Sequence, residues 1–297
     1  MLIRFGFEIN IESAGPVPML LALSVHRELE GRLIGEDFVR MPDGCLHGTY
    51  LDRFGNRITR IEAPGGSMKL WSDCVVEFEG APDIQAPSAR QLSIPELPDD
   101  VLPYLMPSRY CDSDNLTDQA WKLFEGNPEG WPRVEAILQF VHRHVTFGYQ
   151  FGRANKTASM VFVEKTGVCR DFAHLAISLC RAMNIPARYA SGYLGDIDVP
   201  YSGAGDFCAW FEAYLDGQWY TFDARYNMPR AGRILMVRGS DAADVAMITS
   251  FGDYELKYFK VWTDELDRGT RDAEIHRLLL TRPEAEPLVF PSSARIT

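Results

Sequence analysis

The sequence predicts an α+β protein, β-rich at its start and mixed thereafter, and three observations carry that reading. Ile3, Phe5, Phe7, Ile9 and Ile11 recur at period two in "IRFGFEINI", the signature of a half-buried strand. From Tyr104 the apolar spacing becomes helical, through "WPRVEAILQFVHRHV" and "CRDFAHLAISLCRAMN". After Pro186 it returns to period two, in "ARYASGYLG" and in "FCAWFEAYLDGQWYTFDAR".

The elements follow in order. "SMKLWSDCVVEF" repeats the first strand's alternation with Met68, Leu70, Cys74, Val76 and Phe78, and "DRFGNR" supplies a turn between the two. Residues 1–80 therefore read as an antiparallel β-domain. Residues 81–103 carry five prolines and no period, as a linker or extended crossover does. In the next segment, 104–265, Pro132 sits near the first turn of a helix whose Val134, Ile137, Val141 and Val145 share a face. A second helix opens at Cys169 and ends at Asn184 and Pro186. A hairpin turns on Asp216-Gly217, and "RILMVRG" and "YELKYFKVW" offer further strands. Residues 266–297 read as a tail, frayed or disordered over its last 15 residues.

Composition narrows the function. The chain has 297 residues, 46% apolar and 24% charged, enough for a sizeable core. A net charge of −11 argues against nucleic acid or an anionic membrane as the main partner. No apolar run reaches the roughly 20 residues of a membrane span, and the start "MLIRFGFEIN" alternates where a signal peptide would be continuously apolar. A cytoplasmic location is the expectation. Six cysteines, at 45, 74, 111, 169, 180 and 208, form no C-x-x-C pair, so a disulfide framework is not expected.

Cys169 stands apart from the other five. It follows Gly167, a residue that permits unusual backbone, and opens a helix, whose N-terminus stabilises a thiolate and offers unpaired N–H groups to an oxyanion. The plain alternative is a buried cysteine at a helix start. Cys180, three turns on among Ile177, Leu179 and Met183, reads as core, and Asp171 as a partner of the helix dipole. A thiol nucleophile wants a base, yet His174 lies about 140° round the helix from Cys169 and points elsewhere. In the hairpin, Leu215 should pair with Gln218 and Trp210 with Asp223. Cys208, Trp210, Asp223 and Arg225 then share a face, with Cys208 roughly 7 Å diagonal from Asp223. Ion pairing of Asp223 with Arg225 or Arg188 is its structural alternative.

"TGVCRDFAHLAISLCRAMNIPARYASGYLGD" and "DFCAWFEAYLDGQWYTFDAR" together resemble the bacterial transglutaminase-like superfamily, relatives of papain-like thiol enzymes. The N-terminal region, with "YLDRFGNRITRIEAP", resembles the β-domain that often precedes that core; the likeness covers about residues 1–265. The resemblance implies an N-terminal antiparallel β-domain followed by a papain-like core, a helix carrying the cysteine packed on an antiparallel sheet. It gives Cys169 the nucleophile position, Asp223 that of the orienting acid, and Trp210 the tryptophan of an "H-A-W" motif. Cys208 stands where the family has histidine. Trp210 and Tyr149 are the expected substrate-binding residues, with core packing the alternative for Tyr149.

The base is therefore missing. The histidines are 26, 47, 142, 144, 174 and 276, none in the hairpin, and at most one of His142 and His144 can face inward from their helix. Losing a triad member typically costs on the order of 10³-fold in rate. Three functions remain open. The first is a cysteine amidohydrolase, protease or acyltransferase acting on peptide or carboxamide bonds, weakened or silenced by Cys208. The second is an inactive peptide-binding or scaffold protein, and the third a two-cysteine redox or zinc site with Asp223. A peptide or protein partner is expected, and no cofactor or resident metal.

Overall fold

A computed structural model describes residues 1–200, 203–267 and 269–288. The N-terminal part holds six strands: β1 (Leu2–Ser13), β2 (Val17–Leu21), β3 (Leu33–Ile34), β4 (Leu46–Leu51), β5 (Arg57–Ala63) and β6 (Gly66–Glu77). The five apolar residues of β1 predicted to share a face are all buried, as are Met68, Leu70, Cys74 and Val76 of β6. The turn in "DRFGNR" joins β4 to β5, where the Asp52 N–H donates to the Asn56 carbonyl at 3.0 Å.

The second part runs α1 (Thr117–Phe124), α2 (Trp131–His144), β7 (Thr146–Phe147), α3 (Ala158–Glu164), β8 (Thr166–Gly167), α4 (Cys169–Ala182), β9 (Ala187–Leu194), β10 (Phe207–Leu215), β11 (Gln218–Phe222) and β12 (Arg233–Gly239). Then come β13 (Ile248–Ser250), β14 (Glu255–Leu266) and α5 (Asp272–Leu278). Strands β9 to β12 form one antiparallel sheet in the order β11-β10-β9-β12, and α4 packs against β9 and β10. The apolar face of α4 (Phe172, Leu175, Ala176, Leu179) is buried, and so is Cys180. Its C-terminal turn ends at Asn184, whose φ of 60° lies in the left-handed region that asparagine tolerates. The fold is mixed α+β with antiparallel sheets.

The segment boundaries differ from the sequence expectation at the C-terminal end. β14 falls within 104–265 by sequence, but it pairs along its length with β1, giving a sheet of order β14-β1-β6-β3. β13 likewise pairs with β2. The alternation in "YELKYFKVW" is read correctly as a strand; what local pattern cannot supply is its partner some 250 residues earlier. Trp262 of β14 lies over Gly6 of β1, where an added Cβ would sit 2.5 Å from the indole, so only glycine fits there.

Residues 81–103 run as a fastened strap. Asp83 holds Arg233 and the Arg230 N–H, the Ala89 carbonyl receives the Trp131 N–H at the start of α2, and the Arg90 carbonyl receives that of Asp216. Beyond 266, α5 is an element the tail expectation did not contain, and the Leu288 N–H donates to the Phe259 carbonyl. The rest of the expected frayed end, 289–297, lies outside the described residues.

The N-terminal sheet also positions the site. Phe5 meets Tyr193 edge-on at 5.0 Å, Phe7 meets Phe207 at 6.1 Å, and Phe259 meets Phe207 at 5.6 Å. This aromatic cluster clamps the first residue of β10, one position before Cys208.

Candidate active site

Cys169 is the first residue of α4, as the sequence predicts, but Gly167 serves it by closeness and not by unusual backbone. Its φ is not positive; a Cβ there would lie 2.5 Å from that of Asp171. The room lets the buried Asp171 carboxylate reach back and accept the Val168 N–H at 2.9 Å, capping the helix.

β11 pairs with β10 only as far as Phe222 opposite Phe211, and beyond that point the backbone of β10 meets the start of α4. There the Cys169 thiol points at the Phe207 carbonyl, 4.0 Å from its sulfur. Burial pushes this thiol up to about 11; Asp206 pushes it further, while Arg225, the Ala209 N–H and Arg170 pull it down. The thiolate stabilisation expected of a helix N-terminus is outweighed by desolvation.

The hairpin has the predicted register, Leu215 opposite Gln218, with Asp216 and Gly217 at φ 47° and 89°. Cys208 lines a cavity of about 700 Å³ together with Tyr149, Asp206, Arg225 and Tyr226. Burial raises its thiol far above the ordinary range, and the neighbouring Cys169 adds to the rise. Tyr149 lines the cavity, and its hydroxyl donates to Asp206 Oδ2 at 3.0 Å.

Asp223 is buried, but neither proposed ion-pair partner holds it. One oxygen caps the turn after β11, accepting the N–H groups of Arg225 and Tyr226 at 3.0 Å each. The other accepts from Arg233 at 2.9 Å, and Arg233 also holds Asp83. Arg188 is taken by Glu212. Asp223 does act electrostatically on Cys208, behind Cys169, Arg225 and Asp206 in strength. Trp210, at 2% exposure, lies beneath the Arg233 guanidinium at 5.0 Å and does not line the cavity. Its side chain belongs to this structural knot.

No histidine supplies the base. His142 donates to the Arg225 carbonyl at 2.9 Å, His144 to that of Phe162, and His174 is sealed on the core side of α4, stacked on Tyr110. The charged groups acting on Cys169 are Asp206, Arg225 and Arg170. The zinc alternative needs a free Asp223 carboxylate, and among the described residues no group of three His, Cys, Asp or Glu side chains is placed to hold a metal ion.

Two cavity residues escaped the sequence reading. Asp206, half-buried and pushed up to about 6 by desolvation despite the Tyr149 and Arg225 interactions that lower it, lies two positions before Cys208. Strand alternation puts residues i and i+2 on one side, so "DFC" held that signal. Arg225 lay on the predicted shared face, but its stacking on Phe147, 3.7 Å from the ring centroid, depends on a distant segment.

Residues 119–224 match the family described as Transglutaminase-like superfamily. A solved structure from Cytophaga hutchinsonii, described as a "Putative Cysteine Protease", superposes with a TM-score of 0.80 at 28% identity, covering 91% of this chain and 92% of that one. The uncharacterized protein ML0607 of Mycobacterium leprae is 27% identical over 204 residues, 66% of this chain and 73% of its own. The uncharacterized protein Rv2569c of Mycobacterium tuberculosis is 32% identical over 127 residues, 38% of this chain and 40% of its own. Among the described residues no helix is long and apolar enough to cross a membrane.

Proposed function

We propose that the chain binds a peptide or carboxamide group in the cavity beside Cys208 and performs slow thiol-dependent acyl chemistry at Cys169. Attack of the sulfur on the carbonyl would expel the amine and leave a thioester, which water or a second amine resolves. The observation that carries the reading is the seat of Cys169: first residue of α4, against the Phe207 carbonyl on β10 next to Cys208. The likeness to the Cytophaga protein, described as a cysteine protease, supports the same class.

Slowness follows from the same seat. With its thiol at about 11, Cys169 is thiolate to roughly one part in 10⁴ at pH 7, against about 3% for an ordinary cysteine. Cys208, at the position the resemblance gives to histidine, titrates too high to serve as base. A cytoplasmic location belongs to this proposal, since that compartment keeps six unpaired thiols reduced.

The raised thiols favour a second reading, a peptide-binding protein without turnover. One experiment separates the two. The chain and its Cys169→Ala variant are incubated with casein and a fluorescent primary amine, scoring amine incorporation and ammonia release. Slow product that vanishes in the variant supports the acyl chemistry. Equal signal in both removes it and leaves binding alone.

A further inference from the structure

Arg225 is held by ring stacking. Its guanidinium lies 3.7 Å from the centroid of the Phe147 ring and 4.7 Å from that of Tyr226, and His142 fixes its backbone through the carbonyl. Among the described residues the guanidinium makes no ion pair and no hydrogen bond, although the half-buried side chain faces the cavity. Three arginines on or near the same sheet behave differently: Arg188 and Arg238 hold Glu212, and Arg233 holds Asp83 and Asp223. A planar cation kept in place by ring stacking at the wall of a cavity is preorganised for a carboxylate.

We propose that Arg225 is the anchor for a carboxylate group of the ligand in this cavity, set beside the two thiols. Its charge favours the ionised forms of Cys208, Cys169 and the neighbouring Asp206. The opposite character of the remaining wall narrows the ligand further. Asp198, Asp264, Glu265, Glu284 and Glu286 line the same cavity, so a polyanion such as a phosphate ester is repelled. The charge pattern fits a short peptide with one carboxylate for Arg225 and a basic group for the acidic wall. A cavity of about 700 Å³ suits a ligand of that size. This inference rests on the reading that the cavity is the ligand site, but not on turnover at Cys169.

Titration calorimetry on the whole chain tests it, using three N-acetylated Lys-Ala-Ala-type peptides: the free C-terminal acid, its C-terminal amide, and an amide carrying a glutamate in the last position. The expected result is that one carboxylate-bearing peptide binds at least about tenfold more tightly than the plain amide. Which one it is tells whether the carboxylate comes from a chain terminus or a side chain. Arg225→Met should abolish the preference and Arg225→Lys should keep part of it. Equal affinity for all three peptides, no binding of any, or a preference that survives Arg225→Met would overturn the proposal. The wild-type comparison needs no variant to fold. The amine-incorporation assay stands apart: product without acid preference leaves the acyl chemistry and removes the anchor, and preference without product does the reverse.

Discussion

The thiol of Cys169 points at the backbone carbonyl of Phe207, 4.0 Å away and the residue next to Cys208 on β10. A helix start and a strand thus meet where the family resemblance expects nucleophile and base to meet, and the meeting is made by backbone. At the position the resemblance gives to the base, the side chain is the Cys208 thiol.

Restoring an imidazole should therefore restore reactivity. Cys208→His would place a ring in the cavity beside Cys169, within the electrostatic reach of Asp223. Iodoacetamide labelling of Cys169 at pH 6 to 7, followed by mass spectrometry, should speed up by at least about tenfold as the thiol falls toward the paired range. Asp223→Asn in that background should shrink the gain and Cys169→Ser should abolish it. An unchanged rate in a normally folded Cys208→His variant would sink the triad geometry.

Asp206 acts in the opposite sense. Its carboxylate is the strongest charge raising the Cys169 thiol, so Asp206→Asn should increase labelling at pH 8 by roughly 2- to 10-fold. It should leave the fold intact, because the asparagine can still accept from Tyr149. A decrease in labelling would show that the carboxylate assists the thiol.

Asp223 has a structural part to play whatever its chemical one. Asp223→Ala strips a cap from two N–H groups and leaves the buried Arg233 with Asp83 alone. A loss of about 2–4 kcal/mol is expected in urea unfolding. A loss under about 0.5 kcal/mol, the level of an ordinary surface change, would mean the knot around Arg233 contributes little.

His174 gives the chain an acid limit. Burial lowers its pKa to about 3, from 6.5, so the folded ring stays neutral where the unfolded ring takes a proton. Stability from this group is intact above pH 6.5 and is lost as pH falls toward 3; the lowered pKa of the neighbouring Asp241 acts in the same direction. Below pH 6 the unfolding free energy should fall by on the order of 1 kcal/mol per pH unit from His174. His174→Gln should flatten that slope, and an unaltered slope would assign it to other groups.

Much of this was readable in the chain, for identifiable reasons. The period-two faces of β1 and β6, the helix opened by Cys169 and the Asp216-Gly217 turn are local patterns, and each forms where the sequence places it. The helix start at Cys169 and the Leu215–Gln218 register were read from local geometry, while the site roles of Cys169, Cys208 and Asp223 came from the family resemblance. The pairing of β14 with β1 was not legible, because strand pairing across the whole chain leaves no local trace. Nor was the tie of Asp223 to Arg233, the burial of Trp210 beneath it, or the stacking of Arg225 on Phe147. Each depends on side chains brought from separate elements. The helix-dipole argument for a lowered Cys169 pKa failed for a different reason: it counts the favourable end of α4 and omits the cost of burying the charge.

The central claim is that Cys169 occupies a nucleophile's seat without a base to ionise it. The most direct test is the rate of Cys169 alkylation in the unaltered protein from pH 5 to 11. The account predicts a rate that stays near zero through neutrality and climbs only above pH 9, toward a midpoint at about 11. A fast plateau already present at pH 6 to 7 would show a paired thiolate, and with it a base that this geometry does not contain.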